Sequence, residues 1–287
     1  MTRLLITGSR GQLGSTLKHL LSERNDIEAC FTCSDGLDIT RQSDWETAIS
    51  EFRPEFIINC AAYTAVDKAE DHEREALAVN CEAVRIMAEA AARHDCKIIH
   101  ISTDYVFDGD SHTPLKEDDP TAPYTAYGRT KLAGEEALRR ILPHGSVILR
   151  TAWLYSPYGH NFVKTMLRLA SEHKNINVVA DQIGSPTSAL TLARAVMTVV
   201  DHPQWLPGIY HVTDAGVASW YDLAVATMRM AGKDCHVTPV TTAQYPTPAR
   251  RPYYSLLAKE KFTSTFGIAL PHWQESLKNC LEDLLKC

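Results

Sequence analysis

Apolar positions in the first half of the chain fall into short runs, separated by longer stretches with an oily side every three or four residues. Strands alternating with helices leave that pattern. Arg3 to Thr7, centred on Leu4-Leu5-Ile6, predicts a first strand, and Leu13, Leu17, Leu20 and Leu21 predict a helix to about Glu23. Ile27 to Cys33 predicts a second strand, and Ser43-Asp44-Trp45-Glu46 has the form of a capping box opening a helix to about Phe52. Glu55 to Cys60, Lys97 to Ser102 and Ser146 to Arg150 predict three more strands. Between them lie an alanine-rich helix over Glu73 to His94, a polar loop over Asp108 to Pro123 and a helix over Ala126 to Ile141. The Lys97 strand is apolar on both faces, as a buried parallel strand must be. These repeated units predict an α/β fold with a doubly wound parallel sheet over residues 1–150.

Beyond Thr151 the rhythm weakens. A helix to about Glu172, strands at Ile176 to Val179 and Ile209 to Val212, and helices at Ser188 to Asp201, Ser219 to Met230 and His272 to Leu285 predict a smaller C-terminal α/β lobe over residues 151–287. That lobe is expected to bind substrate, with the chain free to cross between the two parts.

Composition narrows the function classes. A chain of 287 residues is long enough for both parts. Its net charge of -6 offers no footprint for nucleic acid or an anionic membrane. No apolar run approaches the ~20 residues of a membrane helix, and no signal-peptide pattern precedes the first strand, so a cytoplasmic protein is expected. The eight cysteines and twelve histidines form no ligand cluster at zinc spacing, which predicts thiols and no metal.

The chemistry begins at Gly8-Ser9-Arg10-Gly11-Gln12-Leu13-Gly14. Between a strand and a helix, such a turn lets backbone N–H groups approach a pyrophosphate at the positive end of the helix dipole, the Rossmann arrangement for a dinucleotide. Ala61 and Ala62, after the third strand, are small enough for that cofactor to pass, and Tyr63 follows them. The acid expected after the second strand for a ribose 2′-OH is missing unless Asp35 reaches back. Arg10 inside the turn suits a 2′-phosphate, so NADPH is expected, with NADH possible. Tyr127 and Lys131 stand four apart on one helical face, where an ammonium is expected to lower the phenol's pKa towards the range of a general acid. Thr103 ends the fourth strand and would add a second donor to one carbonyl oxygen. His100 is read as a satisfied core residue.

The glycine turn, Asn59-Cys60-Ala61-Ala62, Ser102-Thr103-Asp104 and Tyr127-x-x-x-Lys131 resemble the extended short-chain dehydrogenase/reductases. Ala65 to Glu70, Ser102 to Phe107, Asp181 to Thr187 and Pro248 to Pro252 closely resemble the dTDP-4-dehydrorhamnose reductase family. The resemblance implies NADPH-dependent reduction of the C4 ketone of a dTDP-linked 6-deoxy-4-keto sugar, with Tyr127 as proton donor, Thr103 holding the oxygen and Lys131 on the nicotinamide ribose. It places Asp38 and Ile39 beside the adenine and makes Asn80 a brace of the active-site backbone, counted with the cofactor site. Asp104, Tyr105, Trp153, Asn161, Gln182 and Arg250 are its substrate-side candidates, with Trp153 and Tyr155 offering a flat sugar surface. Asn161 opens a helix whose N–H groups suit a diphosphate, and Arg250 with Arg251 forms a fork for it. Two rivals stay open: a nucleotide-sugar epimerase or dehydratase, whose dehydratase members carry Glu where Tyr105 stands, and a non-catalytic NADP-binding regulatory subunit. Some relatives form metal-bridged dimers through glutamates whose matching positions here are Thr16 and Leu190. A monomer or weak dimer without such a bridge is expected.

Overall fold

The computed structural model describes residues 1–286. The first half builds β1 (Thr2–Thr7), α1 (Gln12–Leu21), β2 (Ile27–Phe31), α2 (Gln42–Phe52), β3 (Phe56–Asn59) and α3 (Val66–Asp71). It continues through α4 (Glu73–Leu77), a π-helical turn at Ala78–Glu82, α5 (Ala83–Arg93), β4 (Lys97–Thr103), α6 (Ala126–Ile141) and β5 (Ser146–Thr151). The second half adds β6 (Leu154–Tyr155), α7 (Phe162–Glu172), β7 (Asn175–Val179), β8 (Ile183–Gly184), β9 (Thr187–Ser188), α8 (Ala189–Asp201) and β10 (Gly208–His211). The last elements are β11 (Ala218–Ser219), α9 (Trp220–Met230), β12 (His236–Val240), α10 (Glu260–Phe266) and α11 (Trp273–Lys286).

One six-stranded sheet in the order β10-β5-β4-β3-β1-β2 forms the centre, with every pairing parallel. Alternation along β1, β3, β4 and β5 buries both faces, while β2 at the edge is only half-buried. Leu4, Ile6, Ile58, Ile99 and Leu149 pack against α1 and α8, whereas Leu5, Ile57, Ile98 and Ile148 pack against Trp45, Val84, Met87 and Leu138. The order reverses between β1 and β3, and a ligand crevice opens at such a switch point, beyond the carboxyl ends of the strands.

The division at residue 150 is not one-way. The sequence pattern puts strand β10 in the small lobe, yet it pairs with β5 along Gly208↔Val147 to His211↔Arg150 and extends the central sheet. Helix α8 returns with it to cover α1 through Leu192, Val196 and Val199. What remains of the second half is the two-stranded sheets β12-β7, β11-β8 and β6-β9 with α7, α9 and α11, while α10 packs Phe262 and Phe266 against Tyr210 of β10. No helix among the described residues is long and apolar enough to cross a membrane.

Candidate active site

The carboxyl ends of β1, β3 and β4 open into a cavity of about 1120 Å³ that runs from the glycine turn to the second lobe. Gly8 has φ +64°, and a Cβ there would sit 2.8 Å from Cys60 C and Ala61 N, so only glycine lets β1 turn beside β3. A Cβ on Gly14 would overlap the Gly8 carbonyl, which keeps α1 folded hard against the turn. Gly11 caps α1 without a side-chain partner, leaving the first N–H groups of the helix facing the cavity. These residues fit a dinucleotide pyrophosphate. Arg10 lines the cavity and forms an exposed ion pair at 2.7 Å with Asp35, which itself lies outside the lining. Leu13, Asp38, Ile39, Ala61 and Ala62 also line the cavity.

Three elements bring the reactive groups together. Thr103 closes β4, and Tyr127 and Lys131 project from α6, whose N-cap Thr125 accepts a hydrogen bond from Gly128 N at 3.0 Å. Gly128 is required because a side chain there would strike the Tyr105 carbonyl. The Tyr127 hydroxyl faces the Thr103 hydroxyl, which favours the charged form of the phenol. Lys131 is 1% exposed, and its Nζ donates to Ile101 O at 2.6 Å and lies 3.3 Å from His100 Nε2. Burial pushes Lys131 down to about 8, opposed by the Glu135 charge. The expected lowering of Tyr127 by Lys131 is absent: burial pushes the phenol up, only Thr103 opposes it, and Asp104 and Tyr105 add to the rise. The ammonium is turned towards Ile101 and His100 instead of the phenol. His100 is fully buried and held neutral by desolvation, as a core residue would be, but it touches the reactive lysine.

Asn80 and Tyr63 form a brace and do not line the cavity. The π turn swings Asn80 inward, where Oδ1 accepts from Tyr63 N at 2.9 Å and Nδ2 donates to Tyr63 O and Thr130 Oγ1, each at 3.1 Å. The loop after β3 is thereby fastened to α6. Counting these two residues as cofactor contacts is corrected to a supporting position.

The opposite wall comes from the second lobe. Trp153 adopts φ 50° and stacks on Trp220 with ring centroids 3.7 Å apart and planes 8° from parallel. Trp220 escapes a sequence reading because nothing local links the start of α9 with the end of β5. Asn161 caps α7 by accepting from Lys164 N, and its Nδ2 donates to Gln12 Oε1 at 3.0 Å. Gln12 Nε2 in turn donates to Leu154 O at 3.3 Å, so the glycine turn is tied to this wall. Asp104 and Tyr105 line the floor.

Two substrate-side expectations fail. Arg250 points away, its guanidinium 4.0 Å from the centre of the Tyr124 ring and near Asp110, and its place in the cavity is taken by Arg251. Arg251 is half-buried, donating from Nη2 to Asp67 Oδ2 at 2.6 Å, so the pair is no fork. Successive residues in extended backbone face opposite ways, and only one can look inward. Gln182 is 5% exposed and donates to Thr242 Oγ1 at 3.1 Å, bracing the lobe outside the cavity lining.

A family model described as the RmlD substrate binding domain matches residues 1–286. A dTDP-4-dehydrorhamnose reductase of Sinorhizobium fredii is 44% identical over 99% of this chain and 98% of its own length. A probable dTDP-4,6-dihydroxy-2-methyloxan-3-one 4-ketoreductase of Streptomyces antibioticus is 45% identical over 99% of this chain and 96% of that protein. The crystal structure of dTDP-4-dehydrorhamnose reductase from Bacillus anthracis, in complex with NADP, superposes with a TM-score of 0.93 at 38% identity, covering 99% of this chain and 100% of that one. Full-length identity at this level, together with the sheet order around a glycine turn and a Thr, Tyr and Lys cluster, places the chain in the dTDP-4-dehydrorhamnose reductase family.

Proposed function

We propose that this protein reduces the C4 ketone of dTDP-4-dehydro-L-rhamnose to dTDP-L-rhamnose, using NADPH. The observation that carries this reading is the meeting of Thr103, Tyr127 and Lys131 in one cavity with the glycine turn. The bound dinucleotide supplies the hydride. The chain's own work is to hold the carbonyl oxygen with Thr103, to give it a proton from Tyr127 and to position the cofactor ribose with Lys131. The tryptophan pair offers a flat apolar wall, and Arg251 a cation, for the nucleotide-sugar end. Tyr105 occupies the place where dehydratases need an acid, which favours reduction over elimination. Purified protein should consume NADPH with dTDP-4-dehydro-6-deoxy sugar as sole substrate. Absence of turnover with an intact fold would favour a binding subunit.

The Arg10–Asp35 pair sets the expected cofactor preference. A 2′-phosphate would draw Arg10 away from Asp35, while the Asp35 carboxylate repels it. NADPH should therefore give the higher kcat/KM, with Arg10→Ala lowering that value roughly tenfold or more and leaving NADH nearly unchanged. Asp35→Asn should move the ratio further towards NADPH. Equal kcat/KM for both cofactors in the wild type would exclude this role.

Assembly is proposed to need no metal. Thr16 turns its hydroxyl back to Gln12 O at 2.8 Å, and Leu190 carries no side-chain oxygen. Magnesium asks for carboxylates or other oxygen ligands. Light-scattering mass and turnover should be the same with and without chelator, and a dimer that falls to monomer on chelation would show a bridge elsewhere.

A further inference from the structure

Asp104 is 3% exposed at the floor of the cavity, and its Oδ2 is buried without a partner. Its other oxygen, Oδ1, accepts from Thr103 Oγ1 at 2.9 Å. Thr103 Oγ1 also accepts from Tyr105 N at 3.2 Å, and the Tyr127 hydroxyl is its neighbour on the cavity wall. A threonine hydroxyl has one hydrogen to give. With Asp104 ionised, that hydrogen is spent on Oδ1, so Tyr127 can pair with Thr103 only as the donor. Both protons then point down the chain to the carboxylate, and a carbonyl in the cavity receives neither. With Asp104 neutral, the acid donates to Thr103, and the threonine and tyrosine hydrogens are both released towards the cavity.

We propose that Asp104 is a positioning residue that keeps its proton during the reaction and so aims the Thr103 and Tyr127 hydroxyls at the substrate carbonyl. This rests on the ketone reduction proposed above. The surroundings favour the neutral form. The unpartnered Oδ2 would carry uncompensated charge in a buried site, and burial pushes the acid up to about 6 against the hydrogen bond from Thr103. The charged and titratable groups around it are Tyr105 on the same turn, Tyr127 and Lys131 from α6, and Arg251 beside Tyr105, whose charge is taken by Asp67. The nucleotide sugar, on filling the cavity, would exclude water and favour the protonated acid further.

The test is the pH dependence of NADPH oxidation. In the wild type, kcat/KM for the sugar nucleotide should be highest below about pH 6 and fall about tenfold per unit above it. In Asp104→Asn the amide donates to Thr103 at every pH, so that limb should vanish, leaving only a limb near the Lys131 value of about 8. A wild-type profile flat between about pH 5 and 7.5, or the same limb in Asp104→Asn, would overturn the proposal. An infrared readout works without turnover: a protonated-carboxyl band should disappear as pH rises through about 6. Asp214 is also buried and pushed up to about 6, so the band must persist in Asp214→Asn. Its absence there would overturn the proposal, including where Asp104→Asn does not fold. Failure to oxidise NADPH at any pH, with the band present, would count against the reaction and not against the protonated state of Asp104.

Discussion

Tyr127→Phe should lower kcat by about 10²–10⁴-fold, the usual share of a general acid, while NADPH still binds. Phenylalanine keeps the edge-to-face packing on Tyr105, where the ring centroids are 5.5 Å apart at 73°, so the variant should fold and hold cofactor normally. The loss is confined to the proton that meets the developing alkoxide. Because burial raises Tyr127 above an ordinary phenol, the group stays protonated throughout the neutral range and enters the reaction as a donor. Stopped-flow turnover alongside a fluorescence titration of NADPH separates the two effects. A variant retaining more than about a third of wild-type kcat would require another proton source.

Glu135→Ala should destabilise the fold by about 3–5 kcal/mol, the cost of leaving one member of a buried ion pair alone. Glu135 and Arg150 are 1% and 2% exposed. The guanidinium donates to both carboxylate oxygens, with contacts of 3.0, 3.2 and 2.7 Å, and lies 5.1 Å from the centre of the Phe107 ring. Removing the acid strands Arg150 between α6 and β5. It also removes the negative charge that holds Lys131 up, so the lysine should lose its proton at a lower pH in the variant. Urea unfolding measures the first effect, and replacing both partners by apolar residues should cost much less than the single change. A Glu135→Ala loss below about 1 kcal/mol would mean that water reaches the pair.

The parts of this fold that could be read from the sequence are those whose physics is local. A glycine turn between the strand residues Leu4-Leu5-Ile6 and the helix residue Leu13 is a contiguous pattern, as is Tyr127 four residues before Lys131 on one helical face. Strands β1, β3, β4 and β5 follow from apolar runs because each is buried on both sides, whereas β2 is a half-buried edge. Long-range placement is not legible in this way. Gly208–His211 has the same composition whether it closes the small lobe or edges the central sheet, and only its pairing with β5 decides. Arg250 and Arg251 are chemically alike, and the choice between them depends on Asp67 and Tyr124, which are far away in sequence. Near Ser43 the local signal itself misleads. Helix α2 begins at Gln42, so Ser43 lies inside it with its hydroxyl on Asp44 Oδ1, and Glu46 bonds Arg93 and His94 instead of completing a capping box. The expected fall in the Tyr127 pKa rests on spacing alone, which says nothing of the Ile101 carbonyl that captures the lysine.

The return of α8 and β10 to the central sheet has a consequence for synthesis on the ribosome. When residue 151 has emerged, β5 still has an open edge, and Leu13, Leu17 and Leu21 of α1 lack the α8 residues that cover them. The cofactor-binding part is therefore not a unit that can finish folding while the rest is being made. Its closure waits for residues 189–211, and contacts of such sequence separation slow folding. During that interval an unpaired strand edge and an apolar helix face are exposed together, a combination that invites association between chains. A fragment ending at residue 150 should accordingly be recovered as aggregate, and supplying residues 151–287 as a second chain should restore solubility only if β10 finds its place beside β5.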